Sequence, residues 1–488
     1  MSRLSRKTLS QLPASVGKPA YDLAGLTVGI VHLGIGAFHR AHQAVFTDEV
    51  LAGDPSWGIC GVSLRSAETR DALAPQEELY TLKVQDGQGA ALRVIGSIVE
   101  TLVAPENPET VLSRMADPST RIVSLTVTEK GYCHNPANGA LDESHPDILH
   151  DLQNPSKPKS AVGFIVEALA RRRTAGIPAF TLLSCDNLPS NGHVLKRVVT
   201  RFAELRDPEF GTFVSTVASP STMVDRIVPA TTDADRSVIA AALGTEDAWP
   251  VVTEPFRQWV VEDEFPMGRP RWEEAGVVFV EDVSAFETMK LRLLNGSHST
   301  LAYLGYLAGA ETVAEAMALP GMENLIEGLM REEVSPTLPP LAGFDLDAYR
   351  KALIARFKNP ALRHRTWQIA MDGSQKLPQR LLGTIRDRIE AGEPYDRLAL
   401  GVAAWMRYAR GIDEAGDDID VRDPLAERIA GLARPLDDAD QIVAALLGLT
   451  EIFGDDLSAD RSFRTTLSAT LARVLSGGSR DVLRFWVL

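Results

Sequence analysis

Cysteine is scarce in this sequence, with only Cys60, Cys133 and Cys185 among 488 residues. The three are widely spaced and form no Cys-x-x-Cys pair, so the sequence predicts neither a disulfide framework nor a zinc site. We therefore expect a cytoplasmic protein that folds under reducing conditions and binds no metal.

A membrane-spanning segment and a secretory signal are also missing. No apolar run reaches the roughly 18–20 residues that a bilayer-spanning helix needs. The basic first stretch, MSRLSRKTLSQLPASV, lacks a continuous apolar core. No lysine- or arginine-rich block offsets the net charge of −15, and the triple arginine at 171–173 is short. Such an acidic surface argues against nucleic acid or an anionic membrane as partner.

The composition is that of a globular enzyme, with 45% hydrophobic and 24% charged residues. A chain of this length favours two or more domains over one, because single hydrophobic cores stop growing at about 250–300 residues. We find neither an internal repeat nor a low-complexity tract.

Apolar, β-branched runs alternate with helical patterns in the first part of the chain. The runs LTVGIVHLGIG (26–36), WGICGVSL (57–64), RIVSLTVT (121–128) and AFTLLSCDN (179–187) predict buried strands. YTLKV (80–84) and LRVIGSIVET (92–101) predict two more, arranged as a hairpin. Because helical spacing fills the intervals, we expect a Rossmann-type α/β domain over 1–283, a parallel sheet with helices on both faces.

The pattern changes after about residue 284. Strand-like runs nearly vanish, and spacing typical of helices continues to the last residues, as in DLDAYRKALIARF and SFRTTLSATLARVLSGG. The polar stretch DEAGDDIDVRDP is a loop within this region. The sequence therefore predicts a second, mostly α-helical domain over 284–488.

A glycine turn follows the first predicted strand, in GIVHLGIGAFHRAH. Gly34-x-Gly36 allows a tight turn and a close approach of backbone to a pyrophosphate, and the helix that follows offers free N–H groups. The usual third glycine position holds His39. A plain tight turn would use the same glycines, but the strand-turn-helix context favours dinucleotide binding.

Two charged residues follow the second predicted strand, in LRSAETRD. Glu68 lies at about the spacing of an acid that accepts hydrogen bonds from the adenosine ribose, which favours NAD. Arg65 would instead favour NADP by pairing with a 2′-phosphate. Both charges are also compatible with an ordinary solvated loop, so the sequence predicts NAD and leaves NADP open.

The stretch FETMKLRLLNGSHS, residues 286–299, combines an acid, an amine, an amide and an imidazole with apolar neighbours. In an α-helix, Lys290 and His298 lie two turns apart on nearly one face, whereas Asn295 lies about 140° round from Lys290. Glu287 precedes the lysine by three residues. A surface lysine, a capping asparagine and a core histidine are the alternative for each residue alone.

Alcohol oxidation has a role for each of these groups. The hydroxyl proton needs a base, and a lysine serves if its pKa is depressed toward neutrality. Carboxamide N–H groups stabilise the developing alkoxide, and Glu287 would relay the proton to water. The chain contains no Tyr-x-x-x-Lys, which argues against the short-chain dehydrogenase arrangement.

Five motifs in order resemble the polyol-specific long-chain dehydrogenase family, which includes mannitol 2-dehydrogenase. They are GIGAFHRAH, TVTEKGY, SCDNLPSNG, Lys290-x4-Asn295-x2-His298 and DGSQKLPQR. The resemblance implies a Rossmann-type domain, a helical domain and a zinc-independent, NAD(P)-dependent interconversion of a polyol and a ketose. Members are often monomers, so we expect a monomer or a weak homo-oligomer.

The resemblance also assigns residues. Lys290 is the general base, Asn187 and Asn295 are the oxyanion pair, His298 orients the substrate, and Glu287 exchanges protons with solvent. Substrate-binding positions are Asp225, Lys376 and Asn191. The coenzyme positions are Gly34, Gly36, Ala37, Phe38, Arg40, Glu68 and Thr128.

The sequence is compatible with three functions. The first is a dehydrogenase of the mannitol/fructose or arabinitol/xylulose type. The second is a hexuronate reductase that produces an aldonate, which needs an additional cation for the substrate carboxylate, with Arg365 and Arg380 as candidates. The third, of another class, is a non-catalytic NAD-binding sensor.

Overall fold

The computed structural model describes residues 2–135, 138–341 and 343–487. The chain forms two compact units, Met1–Ser284 and Ala285–Leu488. The predicted boundary lies one residue earlier, after residue 283. In the described part of the chain, no helix has both the length and the apolarity to cross a membrane.

The first unit contains the strands, and the helices run through both units. The strands are β1 (Val28–Leu33), β2 (Gly58–Ser63), β3 (Tyr80–Gln85), β4 (Ala90–Ile95), β5 (Ile98–Val103), β6 (Ile122–Leu125), β7 (Thr181–Ser184), β8 (Thr222–Asp225), β9 (Val251–Thr253), β10 (Gln258–Glu262) and β11 (Val278–Val280).

The helices before residue 290 are α1 (Ala37–Ala41), α2 (Gln43–Val50), α3 (Glu68–Leu73), α4 (Pro108–Ala116), α5 (Pro146–Gln153), α6 (Ala161–Ala175), α7 (Asn191–Arg206), α8 (Pro208–Ser215), α9 (Asp233–Leu243) and α10 (Ser284–Met289). Short 3₁₀ turns lie at Leu9–Gln11, Pro55–Trp57, Ala74–Gln76, Glu129–Tyr132 and Trp272–Ala275.

The later helices are α11 (Gly296–Leu307), α12 (Val313–Met317), α13 (Met322–Gly328), α14 (Leu346–Phe357), α15 (Thr366–Ala370), α16 (Gly373–Leu377), α17 (Gly383–Glu390), α18 (Asp396–Ala409), α19 (Ala426–Ala433), α20 (Ala439–Leu447), α21 (Thr450–Ala459) and α22 (Arg461–Arg484). Further 3₁₀ turns lie at Ser335–Thr337 and Pro360–Leu362. Three π-helical segments occur among the described residues: π1 (Lys290–Asn295), π2 (Leu329–Val334) and π3 (Pro378–Leu382).

The predicted parallel sheet is confirmed. Within the described residues it has five strands in the order β5-β2-β1-β6-β7, and every neighbouring pair is parallel. In the central strand, Val31 pairs with Cys60 on one side and with Val123 on the other. The order fixes which strand ends are neighbours: the loops after β1, β2 and β6 leave the same edge of the sheet.

Both faces of this sheet are buried, which explains why its strands read as continuous apolar runs. Val31 and Leu33 belong to one core, which also contains residues of α4, α6 and α7. Ile30, on the opposite face, belongs to a second core that contains residues of α2 and the bulky rings of Trp259 and Trp272. Helices cover the first face, and helix and small sheets together cover the second.

Two small sheets accompany the parallel sheet, and the sequence predicted only the hairpin of the first. Among the described residues they have the strand orders β4-β3-β9 and β11-β10-β8. β3 and β4 form the expected antiparallel hairpin, but the run at 92–101 is not one strand. It divides at Gly96, whose amide donates to Asp48 Oδ1 at 2.8 Å, and β5 then joins the parallel sheet. β8, β9 and β11 have four residues or fewer, too short to produce a clear alternating pattern.

The second unit is helical, as predicted. Helix α11 is buried along most of its length and packs against α12, α15 and α18. The polar stretch at 413–424 lies between α18 and α19 and forms no helix. The unit therefore buries one central helix that continues directly from π1, the segment that carries Lys290 and Asn295.

Candidate functional site

The glycine turn joins β1 to α1 through a backbone conformation that favours glycine. Gly34 has φ +95°, and a Cβ added there would lie 2.2 Å from the carbonyl oxygen of Thr126. The Gly34 amide donates to the Val62 carbonyl at 2.9 Å, and the Gly36 amide donates to the Gly34 carbonyl at 2.7 Å. The turn is thus held against the ends of both neighbouring strands.

His39 takes the position of the usual third glycine, where close packing of helix on strand is needed. Its ring lies flat on the ring of His32, with centroids 3.5 Å apart and an interplanar angle of 16°. His32 contacts Ser124 Oγ at 2.8 Å and Thr126 Oγ1 at 2.9 Å. Burial lowers the pKa of His32 to about 3 and that of His39 well below its usual value. Two neutral stacked rings therefore replace the glycine contact.

The predicted coenzyme residues on α1 divide into two groups. Gly36 is exposed and Ala37 and Phe38 are half-buried at the start of the helix. Arg40 instead turns inward: its Nη1 donates to the Trp249 carbonyl at 2.5 Å, and its own carbonyl accepts from Tyr80 Oη. Arg40 therefore has the position of a structural anchor that joins α1 to Trp249 and to Tyr80 of β3.

The other predicted coenzyme residues follow strands adjacent to β1. Glu68 is the first residue of α3 and is exposed, as is Arg65 just before it. Thr128 follows β6 and has φ +62° and ψ 167°, a backbone region that is essentially restricted to glycine. Because β2 and β6 flank β1, these residues and the glycine turn lie along one edge of the sheet, where dinucleotides bind in open α/β folds.

The Cys-Asp-Asn turn follows β7. Asn187 is exposed. Asn191, four residues later, is fully buried: its Nδ2 donates to the carbonyls of Asp186 and Thr222, both at 2.9 Å, and its Oδ1 accepts from the Thr222 amide at 2.8 Å. Asn191 thus joins the turn to β8, the strand that ends at the buried Asp225.

The segment with Lys290 and Asn295 is π-helical rather than α-helical. In a π-helix the hydrogen bonds run between residues five apart, and the Gly296 amide accordingly donates to the Leu291 carbonyl. Lys290 and Asn295, also five apart, are therefore neighbours on one face. The offset of about 140° expected from α-helical geometry is wrong for this segment. Both side chains are half-buried.

Gly296 allows a second segment to approach this turn. A Cβ at residue 296 would lie 2.7 Å from the carbonyl oxygen of Arg380, in π3, and π1 and π3 are in contact. Two irregular turns thus pack backbone to backbone. The sequence contains the glycine, but nothing in it indicates which segment lies against it.

His298, one turn beyond Asn295, is buried. Its ring lies 4.7 Å from that of Phe357 and 5.5 Å from that of His364. Burial lowers the pKa of His298 well below its usual value, and the neighbouring His364, Arg356 and Arg380 lower it further. The imidazole is neutral near pH 7 and can either donate or accept a hydrogen bond.

Two cationic groups, on α16 and π3, lie close to one another, and the one on π3 lies close to His298. Lys376 Nζ donates to the Met371 carbonyl at 2.6 Å, and burial together with Arg380 lowers its pKa. Arg380 Nη1 donates to Ser299 Oγ at 3.1 Å, and burial lowers its pKa also. Arg365, the other candidate for a carboxylate ligand, is exposed.

Within the described ranges, no group of three or more histidine, cysteine, aspartate and glutamate side chains is arranged to hold a metal ion. Cys60, Cys133 and Cys185 are free and buried.

Fold and site together define an oxidoreductase with a dinucleotide-binding domain, and comparison with known proteins specifies the family. Residues 28–274 match the model of the mannitol dehydrogenase Rossmann domain, and residues 282–475 match that of the mannitol dehydrogenase C-terminal domain. The chain therefore belongs to the mannitol dehydrogenase family.

Individual relatives align along their whole length. The D-mannonate oxidoreductase of Escherichia coli K12 is 50% identical, over 97% of this chain and 98% of its own. The mannitol 2-dehydrogenase of Pseudomonas fluorescens, solved with NAD and D-mannitol, is 42% identical over 99% of each chain, with a TM-score of 0.79. A D-sorbitol dehydrogenase, solved without substrate, is 36% identical over 98% of this chain and 100% of its own, with a TM-score of 0.93.

Alanine substitutions at the two glycines of the turn should have different effects, one on stability and the other on coenzyme binding. Gly34→Ala forces a Cβ against a carbonyl at positive φ, so we expect a loss of about 1–3 kcal/mol and a melting temperature lower by roughly 2–10 °C. At Gly36 a Cβ meets nothing closer than the Gly34 carbonyl, at 4.0 Å. Gly36→Ala should melt like the wild type but bind NADH more weakly, by about tenfold or more. Thermal unfolding and NADH titration measure both, and equal melting temperatures for the two variants would contradict this account.

Gly296→Ala tests whether contact between the two π segments keeps the lysine and asparagine in place. The new Cβ would push π3 away from π1, and a misplacement of about 1 Å can cost about 10²-fold in rate. We expect kcat to fall by that order while NADH binding is retained. Gly383→Ala, just after π3, is the matched control, because its Cβ finds no atom closer than 3.7 Å. Similar kcat values for both variants would exclude a positioning role for this contact.

Proposed function

We propose that this enzyme is an NAD-dependent polyol dehydrogenase that interconverts a sugar alcohol and its 2-ketose, with Lys290 as general base. The observation that carries the proposal is the π turn, which makes a half-buried lysine and a carboxamide neighbours on one face. Membership of an oxidoreductase family sets aside the alternative of a non-catalytic NAD sensor.

The first unit fits the coenzyme. Gly36 is exposed and open beyond its Cα, which leaves space for a pyrophosphate above the ends of β1 and β6. Glu68, exposed after β2, would accept hydrogen bonds from the adenosine ribose hydroxyls. Thr128 and the first turn of α1 would border the same edge. When bound, NAD supplies the hydride acceptor of the reaction.

The proton of the substrate hydroxyl goes to Lys290. The amine must be neutral to accept it. Glu287 lies three residues earlier, at the end of α10, and is also half-buried. We assign it the transfer of the proton from the amine to solvent, which regenerates the base for the next turnover.

The alkoxide that develops on the reacting carbon is stabilised by carboxamide donors, which we assign to Asn187 and Asn295. His298, neutral because it is buried among cations, binds a substrate hydroxyl without demanding a charged partner. Asp225 and Lys376 are assigned to further hydroxyls. We assign Asn191 a supporting role, because its side chain is occupied by backbone groups of the turn and of β8.

A second substrate class has specific support. The D-mannonate relative shares half of its residues with this chain, and mannonate differs from mannitol in carrying a carboxylate. Arg380 is a half-buried guanidinium whose Nη1 donates to the neutral hydroxyl of Ser299, and it lies beside Lys376 and His298. It is therefore the better of the two candidate carboxylate ligands, since Arg365 is exposed.

Lys290→Ala should lower kcat for polyol oxidation by on the order of 10²–10⁴ while NADH affinity is unchanged. The rise of kcat with pH that a general base imposes should disappear, and added small primary amines should restore part of the rate. Lys351→Ala, which removes an exposed lysine of the same unit, is the matched control. Wild-type turnover across the pH range in Lys290→Ala would refute the base assignment.

A substrate panel decides between the polyol and the aldonate. We expect NAD-linked oxidation of mannitol, arabinitol or sorbitol, followed by NADH absorbance, to be faster than that of mannonate. No polyol turnover together with rapid mannonate turnover would reverse that ranking. In the aldonate case Arg380→Gln should lower kcat/KM for mannonate by about 10²-fold, the cost of removing one partner of a buried charge pair, and spare any polyol turnover. Arg365→Gln should change neither.

A further inference from the structure

We propose that Asp186 is a positioning residue for the reaction: its buried carboxylate fixes both the backbone of Thr128 and the orientation of Asn187. The inference rests on the proposed function, in which Thr128 borders the coenzyme and Asn187 stabilises the alkoxide. It concerns a side chain that the sequence motifs did not single out as functional.

The carboxylate of Asp186 bridges the ends of two adjacent strands. Asp186 lies just after β7, and the loop that it holds follows β6. Its Oδ1 accepts the Thr128 amide at 2.9 Å, and its Oδ2 accepts the Val127 amide at 3.0 Å and the Tyr132 hydroxyl at 2.9 Å. One side chain thus determines the course of the loop from 127 to 132.

Thr128 needs such an anchor. With φ +62° and ψ 167° it adopts a conformation that is almost confined to glycine, and a β-branched side chain makes that conformation still less favourable. Residues in such regions persist only when the surrounding structure over-determines them. Two consecutive amide hydrogen bonds to one carboxylate supply that restraint.

The backbone of Asp186 is hydrogen-bonded as well. The Asp186 carbonyl accepts from Asn191 Nδ2 at 2.9 Å, and the Asp186 amide donates to Ser184 Oγ at 3.3 Å. The amide, side chain and carbonyl of Asp186 are therefore all hydrogen-bonded. Because the next residue in the chain is Asn187, the peptide that carries the exposed carboxamide has little freedom to rotate.

The surroundings of Asp186 are buried, with 8% of the residue exposed. Burial raises the pKa of its carboxyl, whereas the two amides and the Tyr132 hydroxyl lower it. Burial and the carboxylate together raise the pKa of Tyr132, so the phenol remains protonated and donates. Loss of one acceptor oxygen here would leave a buried amide N–H without its partner.

Asp186→Asn is the central test, on the purified full chain. The NH₂ group of the new asparagine would face an amide or hydroxyl donor, so the loop from 127 to 132 should lose a hydrogen bond and change its conformation. We expect kcat to fall by about 10²-fold, as for a misplaced catalytic group, and the Kd for NADH to rise by about tenfold. Asn187→Ala should lower kcat alone. In the double variant, Asn187→Ala should add little to the kcat loss already caused by Asp186→Asn.

Asp151→Asn is the matched control for a purely structural effect. Asp151 is also buried in the first unit and also accepts two backbone amides, from Lys159 at 2.8 Å and Ser160 at 2.9 Å. It should lower the melting temperature to a similar extent while kcat and NADH affinity remain at wild-type values. If Asp186→Asn affects only the melting temperature, as the control does, the proposal is wrong.

Thr128→Gly is a second variant, and it keeps the proposal testable if Asp186→Asn folds poorly. Glycine adopts the conformation of residue 128 without strain, so Asp186→Asn/Thr128→Gly should recover stability and part of the NADH affinity. No recovery would contradict the anchoring role. If Lys290→Ala keeps full activity while Asp186→Asn does not, the proposed function fails and the anchoring of the loop stands.

Discussion

The π-helical turn at Lys290–Asn295 underlies the candidate catalytic face of this enzyme. Its hydrogen-bond register, in which the amide of Gly296 reaches the carbonyl of Leu291 five residues earlier, widens one turn of an otherwise α-helical segment. Lys290 and Asn295 would point in divergent directions on a regular α-helix. In the widened turn they are neighbours, which a general base and an alkoxide donor acting on one carbon require. Irregular turns of this kind are frequent at functional sites, and here the close contact of Gly296 with π3 supports the turn.

The first unit follows a similar principle, in which buried polar groups hold loops at the edge of the sheet. His32 contacts the hydroxyls of Ser124 in β6 and of Thr126 just after it, and Thr126 Oγ1 donates to the Gly34 carbonyl of the glycine turn. Asp186 connects β7 to the loop after β6. Buried polar groups stabilise a structure only when their hydrogen bonds are made. The same bonds fix residues that are proposed to contact coenzyme and substrate, so stability and function share these groups.

The family and the chemistry are consistent with one another. A mannitol dehydrogenase Rossmann domain followed by a mannitol dehydrogenase C-terminal domain accounts for nearly the whole chain. The relatives are named for mannitol, sorbitol and mannonate, and of these three compounds only mannonate carries a carboxylate. We expect the choice between a neutral polyol and an aldonate in this chain to depend on cationic side chains such as Arg380 and its neighbour Lys376, because unpaired polar groups penalise the wrong substrate.

The sequence by itself determined the parallel sheet, the helical second unit and the residue types of the site. Strands buried on both faces and long amphipathic helices leave periodic apolar patterns, and glycine at a strand end marks a tight turn. The short strands β8, β9 and β11, the π turns and the inward direction of Arg40 were not predictable, since no local pattern encodes them. Tertiary structure alone decided that Lys290 and Asn295 share a π-helical turn, that His39 stacks on His32 and that Asp186 holds Thr128. Each depends on a contact between segments distant in the chain or on a hydrogen-bond register that packing selects over the regular helix.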